Sequence, residues 1–203
     1  MKKRYFSVDI EASGRTPGKY SMLSIGACIV GDTERKRVFY RELKPISYNF
    51  DLEAMRVACL GLKCLDDLEE EEYNPQSENF NPEKVLELLR ERGEEPRKVM
   101  RDYAEWVRKN TSKDFRAVET AAPVKFDGMF TAWYFDNFYD GENPFGHSGE
   151  DINSFYRGVM KNPLVNINGL EIRKEGLTHN ALDDAIQQAR EFEEVLRIAG
   201  IKV

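Results

Sequence analysis

Residues 7–14 read Ser-Val-Asp-Ile-Glu-Ala-Ser-Gly, and the rest of the chain is best interpreted outward from this stretch. Apolar residues occupy every second position from 6 to 10, which is the period of a β-strand with one buried face. Asp9 and Glu11 therefore project from the same side of the strand, close enough to share a cation. Adjacent carboxylates repel each other, and a hard divalent cation such as Mg²⁺ offsets that repulsion because it takes oxygen ligands. The alternative at this point is an exposed acidic pair on a sheet edge.

The composition predicts one domain spanning residues 1–203. At 203 residues and 41% hydrophobic content, the chain is long enough to bury a single core. No apolar run reaches the ~20 residues that a membrane-spanning helix needs, so no membrane partner is expected. The chain has three cysteines, and their spacing is not that of a zinc site. We interpret this pattern as that of a reduced, cytoplasmic protein.

The net charge of −6 argues against a general basic coat for nucleic acid. It does not exclude an enzyme that acts on nucleic acid. A site built from several carboxylates carries negative charge of its own, and bound cations reverse the local sign.

Alternating strands and helices predict an α/β domain with helices packed on a mixed sheet. Apolar patterns indicate strands over residues 22–30 and 37–43, which would form an antiparallel meander with the first strand. A short apolar run over residues 121–126 is predicted as a further strand. Helices are expected after Pro82, after Pro96 and over residues 182–196, where apolar residues recur at helical spacing.

Carboxylates recur at two later places where an open sheet would bind a ligand. Asp127 directly follows the strand predicted over residues 121–126 and enters a helix, a common position for site residues in α/β sheets. It could equally be a helix N-cap, where aspartate is favoured. Asp183 and Asp184 lie in the first turn of the last helix, on opposite flanks of its apolar stripe, so helical geometry alone does not choose between them.

His179 stands at the start of this last helix, beside its two acids. Histidine can take a proton from water near neutral pH, and neighbouring carboxylates would adjust its titration. The alternative is a surface histidine at a helix start.

Together these residues resemble the three exonuclease motifs of the DEDD superfamily in its histidine-bearing (DEDDh) branch, which includes ribonuclease T, oligoribonuclease and polymerase proofreading subunits. The resemblance is carried by Asp9-Ile10-Glu11, Phe126-Asp127 and His179-Asn180-Ala181-Leu182-Asp183-Asp184. It implies a ribonuclease H-like fold, with a mixed five-stranded sheet flanked by helices. Residues 66–95 are longer than compact members need, and we interpret them as a family-variable insertion.

The resemblance also implies a site and a reaction. The chain would hydrolyse single-stranded RNA or DNA stepwise from the 3′ end and release nucleoside 5′-monophosphates. The family pattern places its last metal ligand five residues after the histidine, which selects Asp184 over Asp183. The ligands of two Mg²⁺ or Mn²⁺ ions would then be Asp9, Glu11, Asp127 and Asp184, with His179 as general base.

Two further residues, Ser13 and Met22, match positions where relatives contact the terminal nucleotide and wedge between the last two bases. Both are equally consistent with plain turn and strand residues. Two rival functions remain open from the sequence. One is a phosphodiesterase or nucleotidase acting on short oligonucleotides or nucleotides, and the other is a non-catalytic nucleic-acid-binding module on the same fold. The sequence also leaves open whether the chain forms a homodimer.

Overall fold

The computed structural model describes residues 2–32, 34–172 and 176–202. Five strands form one mixed sheet in the order β3-β2-β1-β4-β5. The β1–β2 and β2–β3 pairs are antiparallel, and the β1–β4 and β4–β5 pairs are parallel. The strands are β1 (Lys2–Ala12), β2 (Met22–Ile29), β3 (Val38–Glu42), β4 (Phe115–Ala121) and β5 (Gly149–Asp151).

Six α-helices surround this sheet in the described part of the chain. They are α1 (Leu52–Ala58), α2 (Pro82–Arg92), α3 (Pro96–Lys109), α4 (Val124–Phe138), α5 (Ile152–Met160) and α6 (Ala181–Ile198). Helices α3 and α4 pack on the face that carries Phe6, Val8 and Ile10, while α5 and α6 cover the opposite face. The expected ribonuclease H-like arrangement, with helices on both faces of a mixed five-stranded sheet, is confirmed.

The strand predicted over residues 121–126 is wrong. Strand β4 ends at Ala121, and residues 124–126 form the first turn of α4. This short run is apolar because it opens a helix rich in aromatic side chains, and a short apolar run alone does not distinguish strand from helix. Asp127 therefore lies inside the first turns of α4, and Pro123, not Asp127, occupies the N-cap position.

Residues 66–95 pack beside the sheet. They include the 3₁₀ turn at Glu71–Tyr73 and the whole of α2. Leu86 and Leu89 of α2 bury against Met55 of α1 and Leu23 of β2 in a third apolar cluster. The interpretation of this segment as an insertion stays a prediction. No helix among the described residues combines the length and the apolar character needed to cross a membrane.

Candidate active site

The site lies where β1 runs past the end of its pairing with β4. That pairing ends at Ser7 and Thr120, so the later backbone groups of β1 on this side need other partners. The N–H of Ile10 donates a hydrogen bond of 3.0 Å to Oδ1 of Asp127. The first turns of α4 thus take the place of a neighbouring strand, and this brings the Asp127 carboxylate beside Asp9 and Glu11.

Helix α6 closes the site from the other side. Gly26 of β2 pairs with Asp9, and a Cβ at Gly26 would collide with the backbone of Ala181 and Leu182. Only glycine allows the N-terminus of α6 to lie this close to the sheet. Because the helix starts here, its first turns face Asp9 and Glu11.

The structure places the side chains of Asp184 and Asp183 in different environments. Asp184 is only 4% exposed and lies against the sheet, whereas Asp183 is exposed to solvent. The Asp184 carboxylate accepts hydrogen bonds from the backbone N–H groups of Thr178, at 3.1 Å, and His179, at 2.9 Å. This carboxylate therefore ties the turn that carries the histidine to the first turn of α6.

His179 adopts a left-handed backbone conformation, with φ of 56°. Side-chain ligand atoms of Glu11, His179 and Asp184 all lie within 4.8 Å of one another, a grouping that could hold a metal ion. Gly61 supports the turn, because a Cβ there would collide with the backbone of His179 and Asn180. The Asn180 side chain also donates a 2.7 Å hydrogen bond to the Gly61 carbonyl oxygen.

The surroundings raise the pKa values of three of the carboxyl groups. Burial raises the pKa of Asp9 well above its ordinary value, and the negative charges of Asp127, Glu11 and Asp184 add to the effect. Burial, followed by the charges of Asp184 and Asp127, likewise raises the pKa of Glu11. The pKa of Asp127 rises to about 8, chiefly through burial. An oxygen-rich, mutually repelling set of this kind fits a hard divalent cation, which would stabilise the ionised carboxylates.

These raised pKa values predict how the stability of the metal-free protein depends on pH. The folded Asp127 carboxyl keeps its proton up to about pH 8, while the unfolded one loses it near 3.8. The folded state therefore binds more protons in this window, and the free energy of unfolding falls as pH rises through it. In EDTA, we expect the melting temperature to drop between about pH 5 and pH 8 by at least ~2 °C, the shift that ~1 kcal/mol produces at this size.

Melting curves with and without Mn²⁺ at both pH values measure this effect. Added Mn²⁺ should raise the melting temperature more at the higher pH, where the carboxylates are free to bind it. The Asp127→Asn variant should show a smaller drop, because one of the titrating groups is gone. A melting temperature in EDTA that rises over this range in wild type would contradict the prediction.

Gln188 is a site residue that the sequence analysis did not identify. Its amide Nε2 donates a 2.7 Å hydrogen bond to Oδ1 of Asp9, and its Oε1 accepts one of 2.8 Å from the N–H of Ala122. The side chain is 4% exposed, so it links β1, the end of β4 and α6 inside the protein. Its position four residues after Asp184, on the same face of α6, is the one signal in the sequence that could have found it.

We expect Gln188→Ala to lower kcat about 10- to 100-fold, the usual cost of removing a partner that orients a metal ligand. The variant frees the Asp9 carboxylate to rotate and leaves the N–H of Ala122 without its acceptor, which costs about 1–3 kcal/mol of stability. Gln187→Ala is the matched control, because that side chain is half-buried and its hydrogen bond among the described residues goes to Glu191, at 3.4 Å, and not to a carboxylate of the site. Equal turnover for the two variants would remove Gln188 from the site.

Ser13 and Met22 are both buried in this structure, and their proposed contacts with the terminal nucleotide stay a prediction. Met22 is fully buried in the core under α4, and its N–H donates a 2.7 Å hydrogen bond to the hydroxyl of Tyr134. The Ser13 hydroxyl is also buried, and it bonds the backbone of Ser21 and Asn49.

An open cleft of about 350 Å³ adjoins the carboxylate group. Glu11 is part of its lining, and Phe126 from α4 and Val57 from α1 contribute apolar surface to it. Val57 is 45% exposed and Phe126 is half-buried, so both side chains are open to a bound molecule. Arg15 contributes a positive charge to the same cleft.

Comparison with known proteins agrees with this geometry. No family model matches the sequence. The chain is 35% identical to the 3′-5′ DNA exonuclease Cap18 of Escherichia coli over 196 residues, which cover 94% of this chain and 90% of that protein. The nuclease domain of 3′hExo, a DEDDh family member solved with bound rAMP, superposes with a TM-score of 0.67 at 14% identity, covering 97% of this chain and 92% of that one.

Escherichia coli Exonuclease I in complex with a dT13 oligonucleotide superposes with a TM-score of 0.60 at 14% identity, over 96% of this chain and 41% of that one. At such identities the two structures show a shared fold. The fold is thus that of the DEDDh 3′-5′ exonucleases, and the resemblance found in the sequence is confirmed. Within that class, this chain belongs to the family of Cap18.

Proposed function

We propose that this exonuclease removes nucleotides from the 3′ end of single-stranded DNA and that Asp9, Glu11, Asp127 and Asp184 hold two Mg²⁺ or Mn²⁺ ions. The observation that carries the proposal is the buried carboxylate group at the end of β1, with three raised pKa values and no cation of the protein paired to it among the described residues. When bound, such ions activate the attacking water and stabilise the charge on the leaving oxygen.

His179 takes the proton from the attacking water in this proposal. Its ring lies within 4.8 Å of ligand atoms of Glu11 and Asp184, at the edge of the carboxylate group. The hydrogen bond from its N–H to Asp184 fixes the left-handed turn and so holds the ring on the site. As the water oxygen bonds to phosphorus, the P–O3′ bond breaks; the terminal nucleotide is released as a nucleoside 5′-monophosphate, and O3′ stays on the shortened strand and takes up a proton to become its new 3′-hydroxyl.

The cleft beside Glu11 receives the terminal nucleotide. Phe126 and Val57 offer apolar surface to a base or sugar, and Arg15 offers a charge to a phosphate. Contacts of this kind tolerate any base sequence, which suits an enzyme that moves along a strand. DNA is favoured over RNA because the relative that covers almost the whole chain is a DNA exonuclease.

A degradation assay on matched substrates tests the proposal. Single-stranded DNA, single-stranded RNA and duplex DNA of one sequence, at five and twenty nucleotides, are incubated with Mg²⁺, Mn²⁺ or EDTA. We expect 3′-to-5′ shortening of single-stranded DNA with either metal, mononucleotide products and no turnover in EDTA. Faster loss of RNA would reverse the substrate assignment. Activity confined to the five-nucleotide substrates would identify a short-oligonucleotide scavenger, and turnover in EDTA would overturn the metal site.

A further inference from the structure

A second cavity lies at the end of the sheet opposite the acidic site, where β1 begins. Its volume is about 540 Å³, and its lining includes four cationic side chains, Lys2, Lys3, Arg4 and Lys202. Arg4 and Glu11 are seven residues apart on one extended strand, which corresponds to roughly 23 Å. The cavity is therefore separate from the carboxylate group and from the cleft beside it.

Three of these four cations have no carboxylate partner among the described residues. Lys3 pairs with Glu150, but Lys2, Arg4 and Lys202 take part in no ion pair there. Lys2 and Arg4 instead lie over the ring of Phe115, at 5.9 and 4.9 Å from its centroid. The Nε of Arg4 is buried and has no hydrogen-bond partner.

This arrangement is unusual in a chain whose net charge is −6, since acidic partners are abundant. Buried N–H groups are almost always hydrogen-bonded, and a bound water or ion is one explanation for an N–H group without a protein acceptor. A guanidinium offers its N–H groups in a planar fork that matches phosphate oxygens. Unpaired cations gathered around such a fork indicate an anion with several oxygen atoms.

The rest of the lining is apolar or aromatic. Val30 and Ile201 contribute aliphatic surface, and Tyr5 and Phe115 contribute rings. The volume is within the range of small-ligand sites, which combine apolar walls with a few polar groups that orient the ligand. We propose that this cavity binds a nucleoside phosphate, with the phosphate on Arg4 and the neighbouring lysines and the nucleoside against the apolar wall.

Calorimetric titration of the full chain in EDTA tests the proposal. EDTA removes the metal ions that would hold a phosphate at the exonuclease site, and the part of the binding signal that is lost in the Arg4→Gln variant reports the basic cavity. The probes are inorganic phosphate, a nucleoside 5′-monophosphate and a single-stranded 20-nucleotide DNA. We expect the mononucleotide to bind with a Kd at or below about 1 mM, more tightly than inorganic phosphate, and to weaken as salt is raised.

Arg4→Gln should weaken mononucleotide binding at least tenfold, because it removes the charge and the fork together. Arg101→Gln is the matched control, since that arginine lies on the exposed side of α3 and pairs with Asp102. Lys202→Gln provides a second variant at an exposed position in case Arg4→Gln disturbs β1. Its effect should be in the same direction.

The three probes also identify the source of the ligand. Tight binding of the mononucleotide supports a site for free nucleotides. Binding of the 20-nucleotide strand alone, lost in Arg4→Gln, supports a site for a nucleotide within the strand. Equal affinity of wild type, Arg4→Gln and Lys202→Gln for every probe would overturn the proposal. Metal-dependent turnover of a five-nucleotide substrate should be unchanged in these variants, so failure here and failure of the exonuclease site are distinguishable.

Discussion

Asp184→Asn is expected to lower kcat at least ~100-fold, whereas Asp183→Asn should stay within a few-fold of wild type. Asp184 is buried beside Glu11 and His179, so the substitution removes an anionic ligand from the proposed ion site. The Asp183 side chain is exposed on the next position of the same helix. The two variants change the same chemical group one residue apart, and each is the control of the other.

Two measurements separate loss of the site from loss of the fold. The N–H groups of Thr178 and His179 donate to different oxygens of the Asp184 carboxylate, so Asn keeps one of these two hydrogen bonds, and the turn before α6 should be weakened but not lost. Melting in EDTA reports folding, and calorimetric titration with Mn²⁺ reports ion binding, which should weaken only in Asp184→Asn. If Asp183→Asn were the inactive variant, the motif would have been assigned one residue out of register.

The sequence was informative wherever a local pattern coincides with a complete element. Strand β1 alternates from Phe6 to Ala12, and α6 has an apolar stripe that begins after a capping asparagine. Both signals come from neighbours in sequence, and both elements carry carboxylates of the site. Their positions could therefore be predicted before the sheet was known.

Strand β4 shows where a local pattern fails. Its residues include Arg116 and the buried carboxyl of Glu119, which break the apolar run expected of an interior strand. The apolar run that follows belongs to α4. Thr131 of α4 donates a hydrogen bond to the Glu119 carboxyl, which partly compensates its burial. Burial raises the pKa of this carboxyl to about 7. That compensation comes from a helix, and no strand pattern reveals it.

Other features of the site depend on contacts distant in sequence. Gln188 matters because it reaches Asp9, 179 positions earlier in the chain. The burial of Met22 depends on Tyr134, and the basic cavity joins the first residues of β1 to the residues that follow α6. Each of these features requires the sheet topology, which the residue pattern of a single segment does not contain.

His179→Asn is the last expected result, and it distinguishes a proton acceptor from a metal ligand. Asparagine tolerates the left-handed conformation of this position, so the turn should be preserved. Loss of a general base lowers turnover by about 10²- to 10⁴-fold. Histidines in general change charge between about pH 5 and 8, so the variant should also lose part of the acid limb of the pH–rate profile.

The structure makes the metal half of this test necessary, because the ring lies close enough to Glu11 and Asp184 to bind an ion with them. If His179 is only a general base, its replacement leaves the four carboxylate ligands in place. The Mn²⁺ affinity of His179→Asn should then equal that of wild type. An affinity at least tenfold weaker would identify His179 as a ligand instead. An unchanged acid limb with unchanged affinity would assign the titrating group to a carboxylate and leave the histidine a positioning role.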